Sequence, residues 1–313
     1  MEVILVDNNS DPNSSVELKY QCELLGGDVT YVYQCSPGST AARHKGVSVA
    51  RGRYMIFVDD DVEIQDLWLQ TIRGSFQDDR ISLLGGPSIP RFSGAIPPWF
   101  WDFIIPTRYG GWMSTWLSLI DLGRDITDIH PNFIWTLNFA VKKDVFEKCG
   151  GFHPDLTPDI YQRWQGDGET GFTEKFHQMG FKASYAQKMR VFHHCKEDRL
   201  TAEYFKKRAF FQGICDSFSS LRTGEKPLSK AITDVSPERG KTLSSWSEES
   251  YPIMLETDQF YREGWLFHQK EVGSDPALLR WVMRDSFIDA DIRSEFAAYS
   301  KRPDSITTPL QRS

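Results

Sequence analysis

The sequence predicts an α/β fold, in which helices flank a mostly parallel sheet and a helical C-terminal region follows. Between Val3 and Gly86, short apolar runs alternate with segments of helical length, which is typical of βαβ crossovers. The apolar run Tyr54–Val58 is suited to a buried strand and leads directly into three adjacent carboxylates. From about Thr201 the strand patterns end and apolar residues recur with helical spacing.

The composition indicates an ordinary globular protein that does not bind nucleic acid. A formal net charge of −7 and a pI near 5.6 are unlike the basic character of nucleic-acid-binding domains. No apolar run approaches the ~18 residues of a membrane helix, and the first residues do not have the pattern of a secretory signal. The 5 cysteines are scattered without a CxxC pair, which predicts free thiols and a cytoplasmic location.

Helix signals separate the predicted strands of the first half. Ser10 or Asp11 can cap a helix whose apolar residues repeat every four positions, at Val16, Tyr20 and Leu24. Strands are predicted at 2–6, 29–34, 54–58 and 81–85, and further helices at 40–51 and 66–76.

The segment Gly86–Thr136 breaks this rhythm, because it is rich in proline, glycine and aromatic residues. We predict that its aromatic side chains form core and, in part, a wall that packs against the apolar face of a sugar ring. A patch at a membrane interface is a third alternative. Later strands are predicted at 137–141, 182–187 and 189–192, helices at 144–149, 169–179, 252–272 and 274–289, a loop at 223–250, and a frayed tail from 301.

Three adjacent acids, Asp59, Asp60 and Asp61, follow the third predicted strand. A buried strand does not tolerate three like charges, so the chain must leave the sheet there. Ligands bind at the carboxyl ends of strands in open α/β sheets, and hard divalent cations take oxygen ligands. The local pattern therefore fits a divalent-cation site, and it equally fits a solvated acidic turn.

Short motifs between residues 3 and 195 resemble, in their order, those of inverting glycosyltransferases of family 2, which have the GT-A fold. The motifs are Val6–Ser10, Ala42–Gly46, Gly52–Asp61, Asn138–Val141, Gly150–Phe152, Gly166–Glu169 and Val191–His193. The resemblance implies a Rossmann-like GT-A domain over residues 1–198, with a nucleotide half at 1–86 and an acceptor half at 87–198. Residues 199–313 would form a separate helical region.

The resemblance implies that the acidic triplet binds Mg²⁺ or Mn²⁺. Asp61 would ligate an ion that bridges the diphosphate of a nucleotide sugar, while Asp59 or Asp60 would contact hydroxyls of the ribose or the sugar. His193 would contact the metal or the diphosphate, and an imidazole suits Mn²⁺ better than Mg²⁺. A structural role is the alternative for His193.

Other residues would bind the nucleotide. By the same resemblance, Asp7 and Asn8 would lie beside the base and the ribose. Many relatives have two acids at these positions, so Asn8 leaves the base preference open. Arg43 would contact phosphate or base through its fixed guanidinium fork, or it is a surface arginine paired with an acid.

An inverting transfer needs one general base, which takes the proton of the acceptor hydroxyl as it attacks the anomeric carbon. The family places this base in a pair of acids before a helix, here Asp167 and Glu169. We predict Asp167 as the base, with Glu169 as the alternative. The other acid would stabilise the N-terminus of the helix.

The implied function is metal-dependent sugar transfer, with inversion, from a UDP, GDP or dTDP sugar to a hydroxyl of a glycan or a lipid-linked acceptor. Polysaccharide or glycoconjugate biosynthesis would use such a reaction. The alternative is a catalytically idle protein that binds a sugar nucleotide or a glycan. A phosphatase of the Asp-x-Asp type fits less well, since Glu63 stands at the fifth position of that motif.

Relatives normally begin with one more strand and helix before the motif Val6–Ser10. We therefore expect weakened nucleotide binding or reduced stability for the sequence as given. A homodimer and a peripheral contact with the inner face of the membrane are both compatible with the sequence.

Overall fold

The computed structural model describes residues 1–27, 29–224 and 246–301. Its strands are β1 Val3–Asp7, β2 Val29–Tyr33, β3 Tyr54–Val58, β4 Val62–Ile64, β5 Ile81–Gly85, β6 Ser88–Phe92, β7 Ile105–Pro106, β8 Trp112–Ser114, β9 Leu119–Asp121, β10 Ile126–Thr127, β11 Asn138–Lys142, β12 Lys182–Tyr185 and β13 Val191–Cys195. Its helices are α1 Pro12–Leu25, α2 Ser39–Val49, α3 Trp68–Ser75, α4 Lys143–Lys148, α5 Glu169–Gln178, α6 Ala202–Thr223, α7 Ser250–Ser274, α8 Pro276–Val282 and α9 Ile292–Ser300.

The strands form three sheets within the described residues. β1 pairs with β2 in parallel, and a five-stranded sheet has the order β10–β12–β5–β11–β3. In this central sheet β12 is parallel to β5, while β11 runs antiparallel to both β3 and β5. The predicted α/β class with a helical C-terminal part is confirmed, and the strand directions are mixed because β10 and β11 oppose the other three strands.

The acidic triplet connects two sheets. β3 ends at Val58, and after the three acids the chain enters the third sheet as β4. There β4 pairs antiparallel with β13, and β13 pairs in parallel with β6. The backbone N–H of His194 donates to the carbonyl of Asp61 at 2.8 Å, which brings the end of the triplet beside β13. The predicted exit from the sheet at these charges is confirmed.

Alternation along β13 separates its two histidines. Val191, His193 and Cys195 are buried, whereas His194 on the other face is exposed and contacts Glu63. Successive side chains of a strand point to opposite faces. His193 therefore faces the protein interior, and His194 does not share its environment.

An aromatic cluster fills the space between the central sheet and helices α4 and α5. The rings of Phe57 and Phe152 lie 5.1 Å apart, and those of Phe146 and Phe152 lie 4.9 Å apart, both edge to face. The backbone N–H of Phe152 donates to Nε2 of His44 at 3.0 Å. Gly151, with φ of +76°, must lack a side chain, because a Cβ there would lie 2.6 Å from that nitrogen. These contacts explain why Gly150–Phe152 stands out as a motif.

Much of the aromatic segment at 86–136 is core, as predicted. Phe100, Phe103 and Trp116 are buried, and the ring of Phe103 lies 4.9 Å from that of Phe205 on α6. Trp101 differs from these residues, since 55% of its surface is exposed. The predicted contact of these side chains with a sugar stays a prediction.

Helices α6 and α7 cross at two glycines. A Cβ at Gly213 would lie 2.0 Å from the carbonyl oxygen of Tyr261, and a Cβ at Gly264 would lie 2.0 Å from that of Phe210. Neither backbone could approach so closely past a larger residue. The C-terminal helices are therefore held together by backbone contact as well as by side chains.

The C-terminal helices also differ from the prediction. A single helix at 274–289 was wrong, because α8 ends at Val282 and the chain then turns back to the body of the protein. There the N–H of Phe287 donates to the carbonyl of Gly150 at 2.9 Å. The helix α9, at Ile292–Ser300, was not predicted.

The apolar repeat of α1 lies on its outer side. Val16, Tyr20 and Leu24 are exposed, whereas Cys22 is buried against the body of the protein. Most of the predicted loop at 223–250, and the predicted tail beyond Lys301, lie outside the described residues. Among the residues that are described, no helix is long and apolar enough to cross a membrane.

Candidate active site

Asp7 lies at the end of β1, where neighbouring residues donate hydrogen bonds to its side chain. Its buried carboxylate accepts hydrogen bonds from Ser15 Oγ at 2.6 Å, Tyr31 Oη at 2.7 Å and the N–H of Ser10 at 3.0 Å. Burial alone would raise the pKa of Asp7, but these donors hold that pKa at about 2. Asp7 is thus an ionised anchor between β1, α1 and β2, and its contact with a nucleotide stays a prediction.

Asn8 organises the loop between β2 and α2. Its Nδ2 donates to the carbonyl of Ser36 at 2.7 Å, and its Oδ1 accepts from the N–H of Gly38 at 2.9 Å. Gly38 has a φ of +112°, which favours glycine at this turn. The amide of Asn8 is therefore engaged in shaping the loop, and its predicted contact with the base or the ribose is untested.

Arg43 joins helix α2 to the acidic triplet. Its Nη2 lies 2.7 Å from Oδ1 of Asp59, and its Nη1 donates to Ser39 Oγ at 3.2 Å. Burial alone would lower the pKa of Arg43, but the negative charges of Asp59, Glu169 and Asp155 raise it. The arginine is paired with the first acid of the triplet, but its side chain is only 13% exposed, so it is not the surface arginine of one alternative.

Asp61 and His193 meet at a single cation. Oδ2 of Asp61 lies 2.9 Å from Nη2 of Arg199 and 3.3 Å from Nε2 of His193, and Nε2 of His193 lies 3.0 Å from Nη1 of Arg199. Burial would raise the pKa of Asp61, but His193 and Arg199 hold that pKa at about 2. Nε2 of His193 faces both groups, so it accepts from the guanidinium in one tautomer and donates to the carboxylate of Asp61 in the other.

This corner suits a divalent metal with two protein ligands. A carboxylate oxygen and an imidazole nitrogen are both ligands of Mn²⁺, and here both already face one positive charge. Nδ1 of His193 is buried and has no hydrogen-bond partner among the described residues. Three or more His, Cys, Asp or Glu side chains do not assemble into a metal site anywhere in the described ranges. Asp61 and His193 could therefore supply two ligands to a divalent ion, and its remaining ligands would have to come from elsewhere.

Asp167 is buried and fully engaged. Its Oδ1 lies 2.5 Å from Nδ1 of His153, and its Oδ2 accepts from Oγ of Ser219, on α6, at 2.5 Å. Burial would raise the pKa of Asp167, but His153, Ser219 and the charge of Arg222 lower it. This carboxylate ties the loop before α5 to the helical C-terminal region.

Glu169 has the opposite environment, two residues later. It accepts no hydrogen bond from another side chain among the described residues, and its nearest charges are those of Asp155, Arg43 and Asp59. Burial and the negative charge of Asp155 raise the pKa of Glu169 to about 7, although Arg43 opposes them. A carboxyl group of this kind is poised to exchange protons near neutral pH.

Neither acid caps α5 with its side chain, contrary to the prediction. The N-cap residue is Gly168, with φ of +57° and no side-chain hydrogen bond at the cap. Glu169 lies in the first turn of the helix, where a negative charge is favourable, and Asp167 contributes only its backbone carbonyl, which accepts from the N–H of Thr170. The glycine turns the chain so that the two carboxylates enter different surroundings.

Asp155 and Arg199 belong to the site and were missed from the sequence. Asp155 accepts from the N–H of Leu156 at 2.8 Å, and burial raises its pKa. A Cβ at Gly168 would lie 2.8 Å from Oδ2 of Asp155, so the glycine leaves room for this acid. The glycine between Asp167 and Glu169 was the one sequence signal that another side chain approaches closely there, and that side chain is Asp155. No pattern in the sequence indicated Arg199.

The predicted site residues thus fall into groups. Arg43, Asp59 and Glu169 form one group. Asp61 lies two residues after Asp59 on the same turn, and there it meets His193 of β13. Comparison with known proteins agrees with the motifs, because residues 1–150 match the family model described as Glycosyl transferase family 2. The resemblance to this family that the motifs carry is therefore confirmed over these residues.

Several glycosyltransferases are similar to this chain. Glucosyl-dolichyl phosphate glucuronosyltransferase of Haloferax volcanii is 23% identical over 219 residues, which are 67% of this chain and 64% of that protein. The uncharacterized glycosyltransferase YibD of Escherichia coli is 30% identical over 83 residues (26% of this chain, 24% of that one). The uncharacterized glycosyltransferase EpsJ of Bacillus subtilis is 27% identical over 85 residues (27% and 24%).

The chain spans less than two thirds of the length of these curated relatives. Among solved structures, the crystal structure of GalNAc-T7 with UDP, GalNAc and Mn²⁺ is similar with a TM-score of 0.44 and 14% sequence identity. That similarity covers 88% of this chain and 51% of the other.

Proposed function

We propose that this protein transfers a sugar, with inversion, from a UDP, GDP or dTDP sugar to a hydroxyl of a glycan or lipid-linked acceptor, and that the reaction depends on Mg²⁺ or Mn²⁺. The observation that carries the proposal is the convergence of Asp61 and His193 on one cation, next to the Arg43–Asp59 pair whose charges act on Glu169. A cation position near a partly buried carboxyl group with a raised pKa would supply both needs of the reaction, charge neutralisation and proton removal. The match of residues 1–150 to the family 2 model supports the same function.

The turn at the end of β3 would bind the donor. A divalent ion held by Asp61 and His193 would neutralise the charge that develops on the departing nucleoside diphosphate. Asp59 is fixed by Arg43, whereas Asp60 is exposed and has no ion pair among the described residues, so Asp60 is the acid available for hydroxyls of the ribose or the sugar. Arg43 keeps its charge beside this turn and can contact phosphate.

The contacts of the two acids support Glu169 as the general base in place of Asp167. In the proposed step the acceptor oxygen attacks the anomeric carbon on the face opposite the diphosphate and gives its proton to Glu169. The bond between the anomeric carbon and the phosphate oxygen breaks, and its electron pair leaves with the nucleoside diphosphate. Asp167 is a positioning residue, since both of its oxygens are engaged by His153 and Ser219.

The helical C-terminal region would hold the loop that carries the base. Ser219 of α6 bonds Asp167, and Arg163, in the turn before Asp167, lies 3.0 Å from Asp275 and 3.3 Å from Glu271. Residues 199–313 would therefore complete the catalytic unit that residues 1–198 form. The division of the chain into a catalytic domain at 1–198 and a helical region at 199–313 is also proposed.

The acceptor would lie against the aromatic segment. Trp101 is exposed beside the buried Phe100, and an aromatic face packs well against the apolar face of a sugar ring. The name of the Haloferax relative indicates a lipid-linked acceptor for that protein. We include a lipid-linked acceptor, and with it a peripheral contact at the membrane, in the proposal for this chain.

A donor panel tests the proposal. UDP, GDP and dTDP sugars are added with and without Mn²⁺ while the melting temperature and sugar transfer are measured. A ligand at 100 times its dissociation constant stabilises the folded state by ~2.7 kcal/mol. We expect one nucleotide to bind with Mn²⁺, and Glu169→Gln to keep that binding while transfer is lost. Asp78→Asn, which changes an exposed acid paired with Arg80, is the control that should retain both.

The outcomes separate the two functions considered. Metal-dependent binding without transfer to any acceptor would favour the idle binding protein. Absence of a metal-dependent shift with every nucleotide would contradict the proposal as a whole.

A further inference from the structure

Arg199 lies where the proposed site needs a cation. It ends the short 3₁₀ turn Glu197–Arg199, which follows β13. Its two terminal nitrogens reach Oδ2 of Asp61 at 2.9 Å and Nε2 of His193 at 3.0 Å. These are the atoms that the proposed function assigns to the metal, so an arginine from the chain itself bridges both ligands.

The arginine and a metal ion cannot use these atoms together. A neutral imidazole has a single acceptor nitrogen, and Nε2 of His193 is directed at Arg199. An ion ligated by His193 must therefore take the place of the guanidinium. Two cations side by side would also repel each other, and the repulsion adds to the steric conflict.

The contact has the strength of an exchangeable interaction. The side chain of Arg199 is 30% exposed and that of Asp61 is 24% exposed, so solvent reaches both partners. Ion pairs of this kind contribute ~0.2–1 kcal/mol to stability, so a divalent ion that binds more strongly can displace the arginine. While it is in place, the arginine holds Asp61 and His193 close to each other.

We infer that Arg199 is a tethered cation that occupies the metal position of this site and that a divalent ion must displace it. The inference rests on the proposed function for the identity of the two ligands. It adds that the affinity of the site for a free divalent ion is lowered by a residue of the chain. The protein would then bind little metal at low metal concentrations, although Asp61 and His193 already lie close together.

Titration with Mn²⁺ alone tests the inference. Binding to the full chain is followed by the electron paramagnetic resonance signal of free Mn²⁺ and by calorimetry, with no nucleotide present. We expect Arg199→Ala to bind Mn²⁺ about fivefold more tightly than the wild type, which corresponds to an ion pair of ~1 kcal/mol. Arg199→Lys keeps the charge but loses the guanidinium fork, so it should lie between the two.

Arg91→Ala is the matched control. Arg91 lies 3.1 Å from Glu63, and its strand position pairs with the exposed His194 and not with His193. Its loss removes one positive charge near the site and should leave the affinity for Mn²⁺ unchanged. A melting curve for each variant shows that it is folded, and Arg199→Lys serves if Arg199→Ala does not fold.

An Mn²⁺ affinity that stays the same or falls in both Arg199 variants overturns the inference, and so does equal tightening in the Arg91 control. Failure of the proposed function is a separate result, because it appears as absence of sugar transfer in the wild type. The titration requires no donor, so the two results can be told apart.

Discussion

The partly buried carboxyl group of Glu169 should make the folded protein less stable as the pH rises. Burial and Asp155 raise the pKa of Glu169 from 4.5 to about 7. A pKa raised in the folded state means that stability is fully present below the unfolded pKa and is lost as pH rises through the folded pKa. A pKa change of one unit corresponds to ~1.4 kcal/mol, so ionisation of Glu169 should lower the free energy of unfolding by about 3 kcal/mol at pH 8. Glu169→Gln removes the ionisation and should recover this free energy.

The assay is urea unfolding of the wild type and Glu169→Gln at several pH values. We expect the variant to be more stable by less than about 1 kcal/mol at pH 5 and by about 3 kcal/mol at pH 8. The window lies between the two pKa values, because there the folded state keeps a proton that the unfolded state has lost. Gln has nearly the shape of Glu, so packing changes little.

Asp167→Asn is the control with the opposite sign. The pKa of Asp167 is lowered in the folded state by His153 and Ser219, so its carboxylate stabilises the protein above the unfolded pKa of about 3.8. Asn at this position should destabilise the protein by a similar amount at pH 5 and at pH 8. A stability gain in Glu169→Gln that does not grow with pH, or a gain in Asp167→Asn, would refute the reasoning.

Three further predictions concern catalysis, ligand binding and packing. If Glu169 is the base, kcat/KM for sugar transfer should rise with pH through about 7, and Asp155→Asn should move this rise to lower pH, as a pH–rate profile would show. Asp61→Ala should weaken nucleotide binding in Mn²⁺ at least tenfold, so that stabilisation by a fixed ligand concentration falls from ~2.7 to ~1.4 kcal/mol in a thermal-shift assay. Gly213→Ala should cost about 1–3 kcal/mol in urea unfolding, because its Cβ meets backbone of α7, while Gly273→Ala, with open space around it, should cost nothing.

Local signals were enough for the frame of the site. The charged triplet had to end β3, because no buried strand holds three carboxylates, and the structure has the chain leaving the sheet there. Alternation along β13 separated His193 from His194, since the period of a strand is fixed by its geometry. Glycine pairs marked the ends of helices and the turn at Gly150–Phe152, where positive φ values are present.

Long-range contacts were beyond such signals. Arg199 meets Asp61 across 138 positions of the chain, and no periodicity or spacing connects them. Asp155 enters the site because the chain passes beside Gly168, which is a property of the folded loop and not of either segment alone. The turn after α8 was missed for the same reason, since its hydrogen bond is to Gly150.

The two acids that the sequence could not rank show what distinguishes a base from an anchor. Asp167 and Glu169 are similar in chemistry and are separated by one glycine. Donors surround Asp167 and lower its pKa, whereas Glu169 has negative neighbours and a raised pKa. A carboxylate whose lone pairs are already used has little to offer an incoming proton, so the acid with fewer partners is the better base. The same feature makes Glu169 costly to the fold, and the stability experiment and the pH–rate profile should therefore report one and the same pKa.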